Sequence, residues 1–204
     1  MPITSNKGAV SDLAGVLLAA GASVRLGRPK QLVEFDGSPL VRHAAAKAVN
    51  VCGSGLVVVT GAHHQEVVAA LDSLPVRAVY NPSWREGIGS SLRQGVTAVN
   101  PDAGAILLML SDQPALTQSD LERLARAWVS RPSRIAAAEY GGSLGVPAIF
   151  PVEYRQRLTQ LHGDRGAKLL IEKADDVTVV EMPDAAFDLD TPDDLVKLER
   201  NLNR

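Results

Sequence analysis

The sequence predicts a three-layer α/β/α sandwich built on a mostly parallel sheet, with a small antiparallel excursion. Short apolar runs such as LVVVT at 56–60 and AILLML at 105–110 have the composition of strands buried on both faces. Helical patterns separate these runs, and the alternation indicates parallel strands joined by crossover helices. A Gly-Gly pair at 141–142 between two further apolar runs indicates the antiparallel excursion.

The individual elements follow from composition and spacing. Apolar and β-branched runs predict strands at 15–19, 56–60, 76–80, 105–110, 135–140, 144–150 and 177–181. Alanine-rich or helically spaced stretches predict helices at 39–49, 65–74, 90–99, 118–129, 152–161 and 167–174, and from Pro192 onwards. Residues 1–12 are polar without periodicity, so we expect a loose leader before a single domain at 13–204.

The composition excludes several classes of protein. A net charge of −2 with no concentrated basic surplus argues against a nucleic-acid partner. Cys52 is the only cysteine, so no disulfide or cysteine-rich metal site forms within the chain, and we expect a buried filler. No apolar segment is long enough to span a bilayer or to serve as a signal peptide, which indicates a cytoplasmic protein without a membrane partner.

The segment VLLAAGASVRLGRPK at 16–30 carries the strongest functional signal. A buried strand that ends in small residues lets backbone N–H groups approach a polyphosphate, and Arg25 and Lys30 add two different cations. The spacing fits neither a P-loop nor a dinucleotide-binding fingerprint. The alternative is an ordinary glycine turn with solvated cations.

Three aspartates are candidate metal ligands. Asp112 follows the AILLML strand at the ligand edge of the sheet, although an acid there can also stabilise a turn. Asp188 and Asp190 would share one face of an extended segment, where they repel unless a cation lies between them. Asp190 or Thr191 can also cap the final helix. Carboxylates suit Mg²⁺, whereas the four histidines lack the spacing of a zinc site.

Two polar loops that enter helices are candidate ligand-binding segments. Asn81, Ser90 and Ser91 belong to a glycine-bearing loop that can bind a base, a ribose or an anion, or can simply cap a helix. Asp164 and Lys168 flank another helix start, which suits an acceptor phosphate or a capped surface helix.

Five separated motifs together resemble a known family. They are LAAG-x-S-x-R-x-G-x-P-K-Q-L at 18–32, N-x-x-W-x-x-G-x-x-x-S-L-x-x-G at 81–95, S-D-x-P at 111–114, L-x-G-D-x-G-A-K at 161–168 and D-x-D-T-P-x-D-L at 188–195. This set resembles the molybdenum-cofactor cytidylyltransferase branch of nucleotidyltransferases, which have a glycosyltransferase-A-like (nucleotide-diphospho-sugar transferase) fold. Leu26 and Val146 depart from the methionine and histidine that are usual in that branch.

The resemblance implies that the chain transfers CMP from CTP to the phosphate of molybdopterin and releases pyrophosphate. It implies catalytic roles for Arg25, Lys30 and Asp112, and Mg²⁺ ligation by Asp112 with Asp190 or, less favoured, Asp188. It assigns the nucleotide to Ala19, Ala20, Gly21, Ser23, Arg25, Lys30, Thr60 and Asn81, and the acceptor to Ser90, Ser91, Asp164 and Lys168. A recipient molybdoenzyme is a further expected partner.

Three other readings of the same residues stay open. The acceptor can be another small phosphorylated molecule such as a sugar phosphate, and the donor can be GTP, since guanylyl relatives differ from LAAG by a glycine. A chain of a different class would bind the nucleotide or pterin without catalysis and deliver the cofactor to its enzyme. The complete set of Arg25, Lys30 and Asp112 argues against that last reading.

Overall fold

The computed structural model describes residues 12–164 and 166–202. Its strands are β1 Leu13–Ala19, β2 Glu34–Phe35, β3 Ser38–Pro39, β4 Leu56–Thr60, β5 Val76–Tyr80, β6 Ala105–Leu110, β7 Ile135–Tyr140, β8 Ser143–Pro151 and β9 Val177–Glu181. Its α-helices are α1 Leu40–Cys52, α2 His64–Ala70, α3 Ile88–Ala98, α4 Gln118–Ser130, α5 Arg155–Thr159, α6 Lys168–Glu172 and α7 Pro192–Leu202.

The main sheet has the strand order β5-β4-β1-β6-β8-β7-β9. Strand β8 runs antiparallel to both of its neighbours, β6 and β7, and every other pair in this sheet is parallel. Helices cover both faces of the sheet. The predicted three-layer α/β/α sandwich with an antiparallel excursion is therefore confirmed.

Strand β1 shows why the central strands read as continuous apolar runs. Every residue of β1 is buried, and the side chains alternate between the two faces of the sheet. Leu17 contributes to the core beneath α1 and α4, whereas Val16 and Leu18 contribute to the core beneath α3, α5 and α6. A strand covered by helices on both faces needs apolar side chains at every position.

The excursion is a tight hairpin between β7 and β8. Gly141 and Gly142 form its turn with φ angles of 56° and 73°, a conformation that glycine adopts without steric cost. Strand β9 then returns parallel to β7 at the edge of the sheet. After β9, the chain returns toward β6 before α7 begins. This return places residues 188–190 beside the carboxyl end of β6.

The structure differs from the sequence predictions mainly in short elements. The helix predicted at 152–161 is a 3₁₀ turn, Val152–Tyr154, followed by α5, and the helix predicted at 65–74 ends at Ala70. The small β2–β3 hairpin was not predicted, although its Asp36-Gly37 turn is a recognisable hairpin signal. Residues 1–11 of the predicted leader lie outside the described residues.

A small apolar cluster joins the loop after β1 to the final helix. Leu26 and Val33 from the loop region pack with Leu40, Leu189 and Leu198, and all five are buried. This cluster holds the loop and the segment before α7 side by side.

Two other expectations concern single features of the chain. Cys52 is buried, and burial raises the pKa of its thiol to about 12, as suits a core filler. Within residues 12–164 and 166–202, the structure contains no helix with the length and apolar character that crossing a bilayer requires.

The close packing of α3 on the sheet leads to a stability prediction. A Cβ at Gly95 would lie 2.5 Å from Cγ1 of Val16 and 2.8 Å from Cγ2 of Val59. Gly95→Ala should therefore lower the free energy of unfolding by about 1–3 kcal/mol, although alanine is the better helix former by about 1 kcal/mol. Urea denaturation measures the change.

Thr97→Ala is the matched control, because Thr97 lies exposed on the same helix. This variant gains helix propensity without a packing cost and should be slightly stabilised. Stabilisation of Gly95→Ala by as much as Thr97→Ala would contradict the packing argument.

Candidate active site

A cavity of about 560 Å³ opens at the carboxyl ends of β1 and β6, beside the start of α3. Open α/β sheets bind their ligands at this edge. The walls come from the loop after β1, the turn before α3 and the end of β6: Leu18, Ala19, Ala20, Gly21, Ala22, Val24, Lys30, Gln31, Trp84, Arg85, Gly87, Ile88, Ser91, Leu110, Ser111 and Asp112. The cavity is mainly apolar, and its charged groups lie in the loop after β1, at the end of β6 and in the turn before α3.

The loop at 20–29 keeps a compact shape through its own backbone hydrogen bonds. The carbonyl of Ser23 accepts from the N–H groups of Leu26 and Gly27 at 3.1 and 3.2 Å. Ser23 and Gly27 have φ angles of 55° and 74°, so the chain turns sharply at both positions. The turn brings Arg25 and Lys30 to the same side of the sheet edge.

Lys30 lies between two carboxylates that are far apart in the sequence. Its Nζ donates to Oδ1 of Asp190 at 2.8 Å and makes a second ion pair with Oδ2 of Asp112. Arg25 donates from Nη2 to the other oxygen of Asp190 at 2.7 Å. The fold thus brings together four residues from three motifs that are separate in the sequence.

The charges in this cluster shift one another's protonation equilibria. Burial lowers the pKa of Lys30, but the carboxylates of Asp112 and Asp190 outweigh it, so the net shift is upward. Burial raises the pKa of Asp190, but hydrogen bonds and charges from Lys30 and Arg25 outweigh it, so the net shift is downward. Lys30 and Asp190 are therefore both charged at neutral pH.

Asp188 has a different environment from Asp190. Desolvation by the surrounding protein, followed by the negative charges of Asp112 and Asp190, raises the pKa of Asp188 to about 6. The segment is not the strand that alternation suggested: its backbone is irregular, and Leu189 is buried between the two aspartates. The N–H of Leu189 donates to the carbonyl of Asp112 at 2.9 Å and fixes the segment beside β6.

Of the two capping residues that the sequence offered, Thr191 caps the final helix together with Asp194, and Asp190 does not. The hydroxyl of Thr191 accepts from the N–H of Asp194 at 3.3 Å, and the carboxylate of Asp194 accepts from the N–H of Thr191 at 3.0 Å. This reciprocal capping box begins α7. The carboxylate of Asp190 instead faces Lys30 and Arg25.

The donor set fits a divalent cation that binds together with a phosphate ligand. Oδ1 of Asp112 is buried and has no hydrogen-bond partner among the described residues, so it is an acceptor without a donor. No three histidine, cysteine, aspartate or glutamate side chains of the described chain form a metal site by themselves. Mg²⁺ usually takes only one or two carboxylates and completes its shell with water and phosphate oxygens.

Thr60 and Asn81 are buried, and their side chains are bonded within the protein. The hydroxyl of Thr60 lies 2.7 Å from Nδ1 of His64. Nδ2 of Asn81 donates to the hydroxyls of Ser90 and Ser91 at 2.9 and 3.0 Å. Of these residues, Ser91 contributes to the cavity wall. Nucleotide or acceptor contacts of Thr60, Asn81 and Ser90 remain predictions.

Asp164 and Lys168 have different neighbours in the structure. Asp164 lies against Gly87 at the start of α3, where a Cβ on Gly87 would collide with its carboxylate. The neighbouring carbonyl of Gly163 accepts from the N–H of Gly89 at 2.9 Å. Lys168 is half exposed and faces Glu172 at 4.0 Å. Arg165, between them, lies outside the described residues, and a shared acceptor site remains a prediction.

Arg85 and Gln31 are among the cavity residues that the sequence did not indicate as site residues. Arg85 places its guanidinium 4.3 Å from the ring centre of Trp84, and both residues line the cavity. Gln31 is 1% exposed and reaches back under the loop after β1. The signal for Gln31 was its place directly after Lys30, but only the fold shows where its side chain lies.

A family model described as a MobA-like NTP transferase domain matches residues 15–177. The matched range contains most of β1, the loop, Lys30, Asp112 and most of the sheet. It ends before residues 188–190.

Individual relatives extend the similarity over nearly the whole chain. A nicotine blue oxidoreductase from Paenarthrobacter nicotinovorans is 34% identical over 90% of this chain and 95% of its own. A molybdenum cofactor guanylyltransferase from Rhodobacter capsulatus is 27% identical over 94% of this chain and 97% of its own.

Solved structures share the fold at similar levels of identity. A homologue of Mycobacterium tuberculosis Rv0371c from Mycobacterium sp. strain JC1 superposes with a TM-score of 0.81 at 33% identity, over 96% of this chain and 99% of that one. Rv0371c from M. tuberculosis H37Rv in complex with manganese superposes with a TM-score of 0.74 at 29% identity, over 92% and 98%.

The family match covers most of the chain and includes the loop and the carboxylate at the end of β6. A relative above 30% identity aligns over almost its entire length. The chain belongs to the MobA-like NTP transferase family of nucleotidyltransferases.

Proposed function

We propose that this chain transfers CMP from CTP to the phosphate of molybdopterin and releases pyrophosphate. The observation that carries the proposal is the convergence of Lys30, Asp112 and Asp190 beside a cavity whose wall is the loop after β1. An acceptor phosphate oxygen would attack the α-phosphorus, and the bond from that phosphorus to the β-phosphate oxygen would break. Catalysis of this type depends on positioning and charge neutralisation, because the protein need form no covalent bond.

The two cations of the loop have distinct roles in this reaction. Lys30 is a compact ammonium beside the cavity, so it would leave its carboxylates for the triphosphate oxygens and neutralise the charge that develops on pyrophosphate. Arg25 presents a planar guanidinium at the exposed rim of the loop, where it suits the terminal phosphates.

Asp112 and Asp190 would hold Mg²⁺ with the triphosphate, and the ion would supply Lewis-acid polarisation of the α-phosphate. The unpartnered Oδ1 of Asp112 supports the first ligand. The manganese complex of the M. tuberculosis relative supports a divalent cation as the cofactor class. Asp188 is the other candidate for the second ligand.

The base is assigned to the wall formed by Ala20 and Trp84. Ala20 and Trp84 both line the cavity, and Gly61 lets them pack close together, since a Cβ on Gly61 would lie 2.9 Å from the Cβ atoms of both. The methyl group of Ala20 would leave less room on this wall than a glycine, and a pyrimidine needs less room than a purine, which favours CTP. The guanylyltransferase among the relatives keeps GTP as the alternative donor.

The acceptor is a small phosphorylated molecule, with molybdopterin preferred over a sugar phosphate because of the guanylyltransferase relative. Ser91 contributes to the cavity wall, whereas Ser90 supports it through Asn81. Asp164 would contact the acceptor from the loop that packs on the start of α3, and Lys168 would contact it from the start of α6. A recipient molybdoenzyme remains a proposed partner.

One relative carries the name of an oxidoreductase, so a redox function is the second candidate. The arrangement of the described side chains favours nucleotidyl transfer instead. Two cations and two carboxylates lie together beside the cavity, where they suit a triphosphate and its metal ion. A cofactor-delivering chaperone would bind the same ligands without releasing pyrophosphate. A pyrophosphate-release assay with the four nucleoside triphosphates, with and without molybdenum cofactor, separates these functions.

Lys30→Ala should lower kcat by at least about a hundredfold, because it removes a preorganised charge from the reacting phosphates. Pyrophosphate release measures the rate, and circular dichroism checks the fold. Lys173→Ala is the matched control, since Lys173 is an exposed lysine after α6. Equal activity of the folded Lys30→Ala and Lys173→Ala proteins would refute the assignment of Lys30.

Asp112→Asn should abolish Mg²⁺-dependent activity and leave the fold intact, because a neutral amide is a weaker ligand for a hard cation. Asp188→Asn and Asp190→Asn are compared by the Mg²⁺ concentration that gives half-maximal rate. The variant that lacks the true second ligand should need a higher Mg²⁺ concentration for half-maximal rate than the other variant. If neither substitution changes the Mg²⁺ dependence, the metal does not bind to residues 188–190.

CTP should be used at least about tenfold better than GTP, which requires about 1.4 kcal/mol of differential transition-state binding. Ala20→Gly should reduce this preference, because the wall loses a methyl group. The measurement is kcat/KM for both nucleotides in both proteins. A wild type that favours GTP would overturn the cytidylyl assignment, and an unchanged ratio in Ala20→Gly would overturn only the steric explanation.

A further inference from the structure

Gln31 is a buried polar side chain that lies directly beneath the phosphate-facing loop. It belongs to the 3₁₀ turn Lys30–Leu32, and its side chain is 1% exposed. Nε2 donates to the carbonyl of Gly21 at 2.7 Å and to the carbonyl of Ala19 at 3.3 Å. An amide NH₂ has two hydrogens, so both donors of Gln31 are used by the backbone of the loop.

The side-chain oxygen of Gln31 is connected to the backbone of Lys30 through Ser23. The hydroxyl of Ser23 donates to Oε1 of Gln31 at 3.3 Å and accepts from the backbone N–H of Lys30 at 3.0 Å. Ser23 is the residue with a φ of 55°, so the hydroxyl link holds the loop at its sharpest turn. Gln31 is thereby connected to the end of β1, to the turn and to the backbone from which the Lys30 side chain extends.

These hydrogen bonds determine which backbone groups can face a ligand. The carbonyl and the N–H of a trans peptide point in opposite directions. Since the carbonyls of Ala19 and Gly21 point to Gln31, the N–H groups of Ala20 and Ala22 are turned away from it. Ala20 and Ala22 both line the cavity, where N–H groups attract an anion and carbonyl oxygens repel one.

An apolar side chain of similar length would fill the same space without these effects. Burial of an amide side chain lowers the stability of a protein unless its polar atoms form hydrogen bonds. Here each hydrogen bond of Gln31 goes to the loop itself. The polar character of residue 31 therefore matters for the shape of the loop rather than for filling the core.

We propose that Gln31 is a positioning residue that holds the loop in its phosphate-binding shape before the nucleotide arrives. This inference rests on the proposed nucleotidyl transfer and deepens it. Preorganisation lowers the cost of ordering a loop during binding, so Gln31 acts on affinity for the triphosphate part of the nucleotide. Once the nucleotide saturates the site, the loop is held by the ligand, so kcat changes less than KM.

Two variants separate the hydrogen bonds from the volume of the side chain. Gln31→Met keeps the length and removes every polar atom. Gln31→Glu keeps the shape and the acceptor for Ser23 but replaces the two donors by a carboxylate oxygen that faces two carbonyls. Gln156→Met is the matched control, because Gln156 is exposed on α5.

The measurement compares the affinity for CTP with the affinity for cytidine by calorimetry, and it includes KM and kcat for CTP. If the wild type prefers the guanine nucleotide, GTP and guanosine replace these probes. Both Gln31 variants should bind CTP at least about tenfold more weakly while cytidine affinity stays within about twofold. KM should rise by more than kcat falls, with the larger effect in Gln31→Glu.

Loss of CTP and cytidine affinity by equal factors would mean that Gln31 only supports the fold, and it would overturn the proposal. Unchanged CTP affinity in a folded Gln31→Met protein would overturn it as well. If both Gln31 variants fail to fold, Ser23→Gly decides through amide hydrogen exchange of residues 20–29 measured without nucleotide, because glycine tolerates the φ of Ser23 and removes the hydroxyl link between Gln31 and Lys30. Exchange should be faster than in the wild type, and unchanged exchange would overturn the proposal.

A wild type that binds neither CTP nor GTP would overturn the proposed function and this inference together. A wild type that binds and turns over the nucleotide while the Gln31 variants behave like Gln156→Met would overturn this inference alone. The two failures are therefore distinguishable.

Discussion

The candidate site depends on one shared cation, the ammonium group of Lys30 between Asp112 and Asp190. Three aspartates lie at one edge of the sheet, and the pKa of Asp188 is raised by desolvation first and then by the charges of Asp112 and Asp190. Neighbouring like charges destabilise a fold unless a cation lies among them. Lys30 supplies that charge and joins the loop after β1, the end of β6 and the segment before α7.

The same ion pairs bear on how the site would work in the proposed reaction. A triphosphate and its metal would bring both negative and positive charge, so Lys30 would transfer its contacts to phosphate while the carboxylates take the metal. Ion pairs of partly buried groups contribute little net stability when all partners are present, so this exchange would cost little free energy.

Close approach of backbones shapes the rest of the cavity. The start of α3 carries Gly87 and Gly89, and residues 162–164 pack so closely on both that a Cβ would collide with them. Gly61 likewise allows Ala20 and Trp84 to pack closely against it. The glycines in the motif at 81–95 thus serve packing around the site, and the hydroxyl groups of Ser90 and Ser91 satisfy Asn81.

Local composition was enough to determine the order of most elements, because strands covered on both faces must be apolar throughout and crossover helices must separate them. It also predicted a ligand site at the loop, Lys30 and the three aspartates, since these residue types suit phosphate and metal. Only the tertiary structure decided that Lys30 reaches Asp112 and Asp190, that Thr191 and Asp194 rather than Asp190 cap α7, and that Gln31 lies under the loop. These contacts join positions up to 160 residues apart, and no local pattern encodes a distance between segments that only the packed sheet brings together.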